Sequence, residues 1–131
     1  MKMYVLGLAA YVVATFATQA VSHFALNADH YAAVSYMRTN PIFSLGVLSM
    51  VIQGAGLCSV YARLAGHRPS LWRALGFSWA MGAFLVSYIS LAEAAKYAVP
   101  STASWIAVEA LAGFVQFSIF GALLFACIST S

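Results

Sequence analysis

Charge is what this sequence lacks. Six Lys or Arg and three Asp or Glu make up 7% of 131 residues, against 63% hydrophobic. Soluble domains carry about a quarter charged residues. Nine charged side chains cannot clothe a soluble globule of 13.9 kDa, so the solvent for most of the surface is lipid. That excludes a soluble enzyme, a disordered tail and a conventional DNA-binding module. Cysteine is scarce too. Cys58 and Cys127 lie in apolar runs without C-x-x-C spacing, as buried apolar thiols do. G-x-S-x-G, H-E-x-x-H, a Walker loop and C-x-x-C-H are all missing, which points away from an enzyme. The net charge of +3 reads as membrane topology and not as affinity for nucleic acid.

What is present is four long apolar runs punctuated by charge. No charged residue falls between Lys2 and Asp29, between Arg38 and Arg63, or between Arg73 and Glu93. After Lys96 only Glu109 interrupts. A membrane span needs about 20 mainly apolar residues. The pattern predicts one integral-membrane domain over 1–131, an all-α, antiparallel four-helix transmembrane bundle with spans near 3–24, 42–63, 72–97 and 103–128. Lys2, the run Val5–Val13 and Thr18-Gln19-Ala20 also sketch a signal peptide, but the uncharged stretch continues well past Ala20 and reads as a span. Asn40-Pro41 should open the second helix, Gly66–Ser70 should turn tightly, and Pro100-Ser101-Thr102 should cap the fourth. The segment from Asn27 to Thr39 carries Tyr31, Val34 and Met37 at helical spacing. It is a continuation of the first helix or a short interfacial helix, lying as a lid over the bundle.

Basic residues orient the chain. Lys2, Arg63, Arg68 and Arg73 share one side; Arg38 and Lys96 share the other. The imbalance favours both termini in the cytoplasm. Arg63, Arg68 and Arg73 are candidate contacts for lipid headgroups. Trp72, Trp105, Tyr31, Tyr36, Tyr61 and Tyr97 fall near span ends as interface anchors, while Trp79 lies deeper. Small residues recur at packing spacing: Ser78 with Gly82, Gly76 with Ala80, Gly113 with Gly121, and Gly46, Gly54 and Gly56 in the second span. They fit contacts within the bundle or the face of a homo-oligomer. No internal repeat of the inverted-transporter kind is visible.

Polar residues inside a bilayer are costly and usually face the bundle interior. Gln19 and His23 are four apart on the first span. Glu93 and Lys96 end the third, and Glu109 enters the fourth from the same side. These five gather in the outer half, with Gln53 and Gln116 nearer mid-membrane. The asymmetry predicts a polar pocket that opens outward and narrows toward Gln53 and Gln116, and it argues against a continuous pore. Four readings of the cluster stand side by side. One is a paired network, with Glu93 and Lys96 as an ion pair. A second is a site for a small ligand or headgroup. A third is a proton-linked transporter whose carrier is Glu109 or Glu93. The last is a metal site or membrane metalloenzyme using His23 and His30, which lie seven apart without a recognised motif. No cofactor is implied.

The stretches Asn27-Ala-Asp-His-Tyr, Asn40-Pro-Ile-Phe, Leu45-Gly-Val-Leu-Ser-Met, Gln53-Gly and Leu91-Ala-Glu-Ala-Ala-Lys-Tyr97 resemble small bacterial four-span inner-membrane proteins of unknown function. The resemblance implies a multi-pass inner-membrane location and no particular activity. The first span lacks the embedded Glu of small multidrug transporters, and the glycine-arginine signature of fluoride channels is missing. The expectation is therefore a non-enzymatic accessory or binding protein, a homo-oligomer or a subunit of a larger membrane complex.

Overall fold

The computed structural model describes residues 2–64 and 69–130. Within them the chain is helical, without strands, and four helices are long and apolar enough to cross a membrane. The helices are α1 (Lys2–Leu26), the short α2 (Ala28–Ala32), α3 (Phe43–Leu64), α4 (Leu71–Lys96) and α5 (Thr102–Ser129). The four long ones match the expected spans to within a few residues. This is a four-helix bundle with the features of a multi-pass membrane protein.

Local chemistry accounts for the boundaries. Ser70 caps α4 by accepting from the Arg73 amide at 3.4 Å, and Ser101 caps α5 by accepting from the Ser104 amide at 3.3 Å. Each satisfies a helix N–H that would otherwise lack a partner. Pro41 does not head α3 as expected. The Ile42 carbonyl takes the first helical bonds, from Leu45 and Gly46, so the helix opens two residues later at Phe43. The expected turn at Gly66–Ser70 lies mostly outside the described residues, as does Arg68.

α5 is the centre of the bundle, packed against both α1 and α4, while α3 packs on α1. Contacts run in opposite senses along each pair. Tyr4 meets Ser59 and Tyr11 meets Gln53 across α1 and α3. Gly7 meets Leu124 and Thr15 meets Gln116 across α1 and α5. Ser78 meets Phe117 and Ile89 meets Trp105 across α4 and α5. The bundle therefore has a near end, with Lys2 and Ser129, and a far end, with Asn27 and Pro100.

Glycines set the closest approaches, because lipid supplies no hydrophobic drive and packing must hold the helices. A Cβ at Gly82 would lie 2.6 Å from the Phe117 ring, and one at Gly113 would press directly into the Val86 side chain. Gly54 is pressed by Leu8 and Tyr11, and Gly121 by Leu75 and Ser78. These serve contacts within the chain. Gly46, Gly56 and Gly76 meet nothing within 4 Å and face outward. Around the close approaches lies the main core of Tyr11, Leu57, Tyr61, Phe117, Phe120 and Leu124, with Tyr11 edge-on to Phe120 at 5.1 Å. Tyr61 is thus a core residue against Phe77 and not the interface anchor its position implied. At the far end of α3, Phe43 to Ser49 are all exposed.

Two helices change pitch at the far end. Ser22–Leu26 of α1 and Tyr88–Glu93 of α4 are π-helical, with one extra residue per hydrogen-bonded turn. The Asn27 amide bonds back to the Ser22 carbonyl, five residues earlier. The chain then bends at Asn27 into α2 and continues without further helix to Phe43.

Candidate functional site

The two π-helical turns flank a cluster at the far end. Its centre is Glu109, on the second and third turns of α5, with 5% of its surface exposed. Over it lies Tyr31 of α2, 6% exposed, which donates its hydroxyl to Glu109 Oε1 at 2.6 Å. That is the length of a hydrogen bond to a charged oxygen. Burial first, and the Glu109 contact second, push the Tyr31 phenol above its ordinary pKa.

Three rings hold the Tyr31 ring. His23 stacks on it almost parallel, 9° between planes and 3.7 Å between centroids. Trp105 and His30 meet it edge-on at 6.2 and 5.2 Å. Each neighbour is itself pinned. Nδ1 of His23 reaches the Gln19 carbonyl at 3.1 Å. A carbonyl only accepts, so this bond requires the proton on Nδ1 and leaves Nε2 as the acceptor. The Trp105 indole donates to the Ile89 carbonyl, inside the π-helical turn of α4, at 3.1 Å. His30 Nδ1 sits 3.4 Å from the Ser104 hydroxyl, while its Nε2 is buried with no partner. Tyr31, Val34 and Trp105 form a second small core, separate from the main one.

Beneath this cluster, Gln116 is buried on α5. Its Oε1 accepts from Gln19 at 3.0 Å and its Nε2 donates to Thr15 at 3.1 Å. Further along α1, Tyr11 donates to Gln53 at 2.6 Å, and Gln53 donates to Ser49 at 3.2 Å. Tyr4 reaches Ser59 and the Ala55 carbonyl at the near end.

Of the residues singled out from sequence, Gln19, His23, Glu109 and Gln116 come together. Glu93 is half-buried and close enough to Glu109 for their charges to interact. Gln53 belongs instead to the α1–α3 contact. The Glu93–Lys96 ion pair does not form. Lys96 turns back over the Tyr88 ring, 5.1 Å from its centroid, with Nζ 3.4 Å from the hydroxyl. His23 and His30 do not share one face of a continuous helix, because the chain bends at Asn27 and Tyr31 packs against both rings. Among the described residues, no group of three or more His, Cys, Asp or Glu is placed to hold a metal. Arg63 is exposed and donates to the Ser59 carbonyl; Arg73 is exposed beside Ser70.

The expected open polar pocket is filled, since Tyr31 occupies it. The two sizeable grooves nearby are apolar. One, of about 440 Å³, lies between α1 and α5, and the other, of about 340 Å³, lies between α4 and α5. Tyr31 and Trp105, which their positions near span ends suggest as interface anchors, are buried site residues. Trp72, Tyr36 and Tyr97 are exposed as anchors should be. The Tyr36 phenol is raised above its ordinary pKa by desolvation and then by Glu93. Trp79 packs on Phe114 and donates to Ser118. The residues missed had one legible signal. Tyr4, Tyr11, Thr15, Gln19 and His23 recur at sevens and fours, so α1 carries a polar stripe along its length.

Compared with protein-family models, curated proteins and solved structures, the chain matches none. The functional reading therefore rests on the site itself.

Proposed function

We propose that this chain is a small, non-enzymatic binding or accessory protein of a bacterial inner membrane, with both termini cytoplasmic. It would take a small ligand or partner helix at the far, non-cytoplasmic end, and it would work as a homo-oligomer or as a subunit of a larger complex. The observation that carries this reading is the buried Glu109 carboxylate closed over by Tyr31 from outside the spans. A carboxylate in the membrane is expensive and is held for binding or charge more readily than for packing. The basic residues of the near end, Lys2, Arg63, Arg68 and Arg73, support the orientation and would meet anionic headgroups there. Likeness in sequence pattern to small four-span inner-membrane proteins supports the location.

Native mass spectrometry of protein gently extracted from its own membrane tests the reading. The expected result is added mass, from a ligand or a partner chain, that Glu109→Gln loses. Plain multiples of 13.9 kDa with nothing bound would sink it.

A second reading is a proton-linked transporter with Glu109 as the carrier. It draws support from the side-chain hydrogen bonds that continue inward through Gln19, Gln116 and Thr15, and again at Tyr11 and Gln53. Against it, Gly7 packs on Cys58 between Tyr11 and Tyr4, an apolar step in the stripe. Proton-coupled flux in proteoliposomes that Glu109→Gln abolishes would favour the transporter. Wild-type vesicles without flux would remove it.

A further inference from the structure

We propose that Tyr31 sits in the seat of a ligand, and that this ligand is a hydroxylated aromatic headgroup on an apolar tail. The inference rests on the binding reading above and names the ligand class for that site. Tyr31 is held as a bound molecule would be. The long helices supply the seat: His23 from α1 as the stacking floor, Trp105 from α5 as the wall and Glu109 as the acceptor. The occupant comes from the connecting segment, which is tied to the bundle through a core of its own and not through the main one. A segment with so small a core opens at lower cost than the bundle unfolds.

Two further observations shape the ligand. His30 Nε2 is buried against this ring without a partner, and Tyr31 has one hydroxyl, already given to Glu109. A ring with a second oxygen would satisfy it, as an alkylated hydroquinone does. The apolar groove between α1 and α5 also abuts the seat. It is lined by Ala17, Val21, Leu111 and Val115, and it shares Ser22 and Val108 with the surroundings of Tyr31. An aliphatic tail fits such a groove, and its open side is where a membrane-dissolved molecule would arrive.

The geometry makes Tyr31 a competitor. Weakening its hold should raise ligand affinity, because a site closed by its own chain binds in proportion to the open fraction. The test uses full-length protein in nanodiscs, titrated with decylhydroquinone and with decylbenzene as the control without hydroxyls. Binding is read by tryptophan fluorescence, and opening by hydrogen exchange over residues 27–39. Three results are expected. Decylhydroquinone binds saturably and speeds exchange in that segment. Tyr31→Phe, which keeps the ring but loses the hydroxyl, tightens binding about tenfold, and Glu109→Gln weakens it about tenfold, each about one hydrogen bond's worth. Decylbenzene shows neither response.

Equal affinity in wild type and Tyr31→Phe, or equal binding of decylbenzene, overturns the proposal. So does an absence of decylhydroquinone binding to Tyr31→Phe that retains wild-type helical circular dichroism. These failures are separable from failure of the binding reading. If native mass spectrometry finds a Glu109-dependent ligand that lacks a hydroxylated ring, the site stands and the ligand class falls.

Discussion

The two ends of the bundle are built by different means. At the near end and through the middle, helices close on one another over glycines, and aromatic rings fill the space between them. Hydroxyls there bond back to helix carbonyls, as Ser78 does to Phe117 and Tyr4 to Ala55. At the far end the helices lose α-helical pitch, the core shrinks to Tyr31, Val34 and Trp105, and buried polar groups bond to one another across segments. The first construction holds four helices in lipid. The second spends packing on a carboxylate, two imidazoles and a phenol. Their coexistence in one short chain teaches that the near end is scaffold and the far end is where binding is to be sought.

Overpacking should break the scaffold side of this contrast most severely. Gly82→Val drives a side chain into Phe117, whose ring lies 2.6 Å from where the new Cβ would sit, and should cost about 2–3 kcal/mol in reversible unfolding from mixed micelles. Gly76→Ala, at a glycine that meets nothing, should instead gain about 0.5–1 kcal/mol. Similar losses at both positions would show that the close approaches do not hold the bundle.

Next in size is Glu109→Ala. It leaves the Tyr31 hydroxyl buried without its acceptor, at about 1–3 kcal/mol. The loss should appear as faster hydrogen exchange in residues 27–39, with α3 and the near end of α1 unchanged. Uniformly faster exchange would merge the two regions into one cooperative unit.

A smaller effect is expected from pH. Unfolded tyrosine ionises near pH 10. Tyr31 in place keeps its proton to higher pH, so its share of stability is complete below about pH 10 and declines as pH rises further. Ultraviolet titration should show one late-ionising tyrosine that is missing from Tyr31→Phe. The smallest effect concerns Glu93 and Lys96. Without an ion pair, Glu93→Gln and Lys96→Met should add to within about 0.5 kcal/mol in thermal unfolding. A double variant milder than their sum would restore the pair.

The four spans and the Ser101 cap were legible because apolar length and capping chemistry are local properties. Grouping Gln19, His23, Glu109 and Gln116 at one level needed only the rise per residue, about 1.5 Å. What escaped was the phase of the helices. Neither Ser22–Leu26 nor Tyr88–Glu93 contains a proline or glycine to mark the change of pitch. The i, i+3 rule that paired Glu93 with Lys96 assumes regular α-helix from Glu93 onward, yet Glu93 closes a π-helical turn. Tyr31 looked like an anchor because a phenol near a span end suits the interface as well as it suits a buried acceptor. Only the fold of the segment after Asn27 decides between them.

The π-helical turn of α1 makes the spacing between residues 19 and 31 as exacting as their identities. A single-codon deletion within Ser22–Leu26 would let the turn relax to ordinary α-helix. Everything after it would rotate by about 100° and draw back by about 1.5 Å. Every residue of the site would survive such a deletion, and Tyr31 would no longer meet Glu109. Chain length is therefore itself an inherited trait of this site, as open to selection as any side chain.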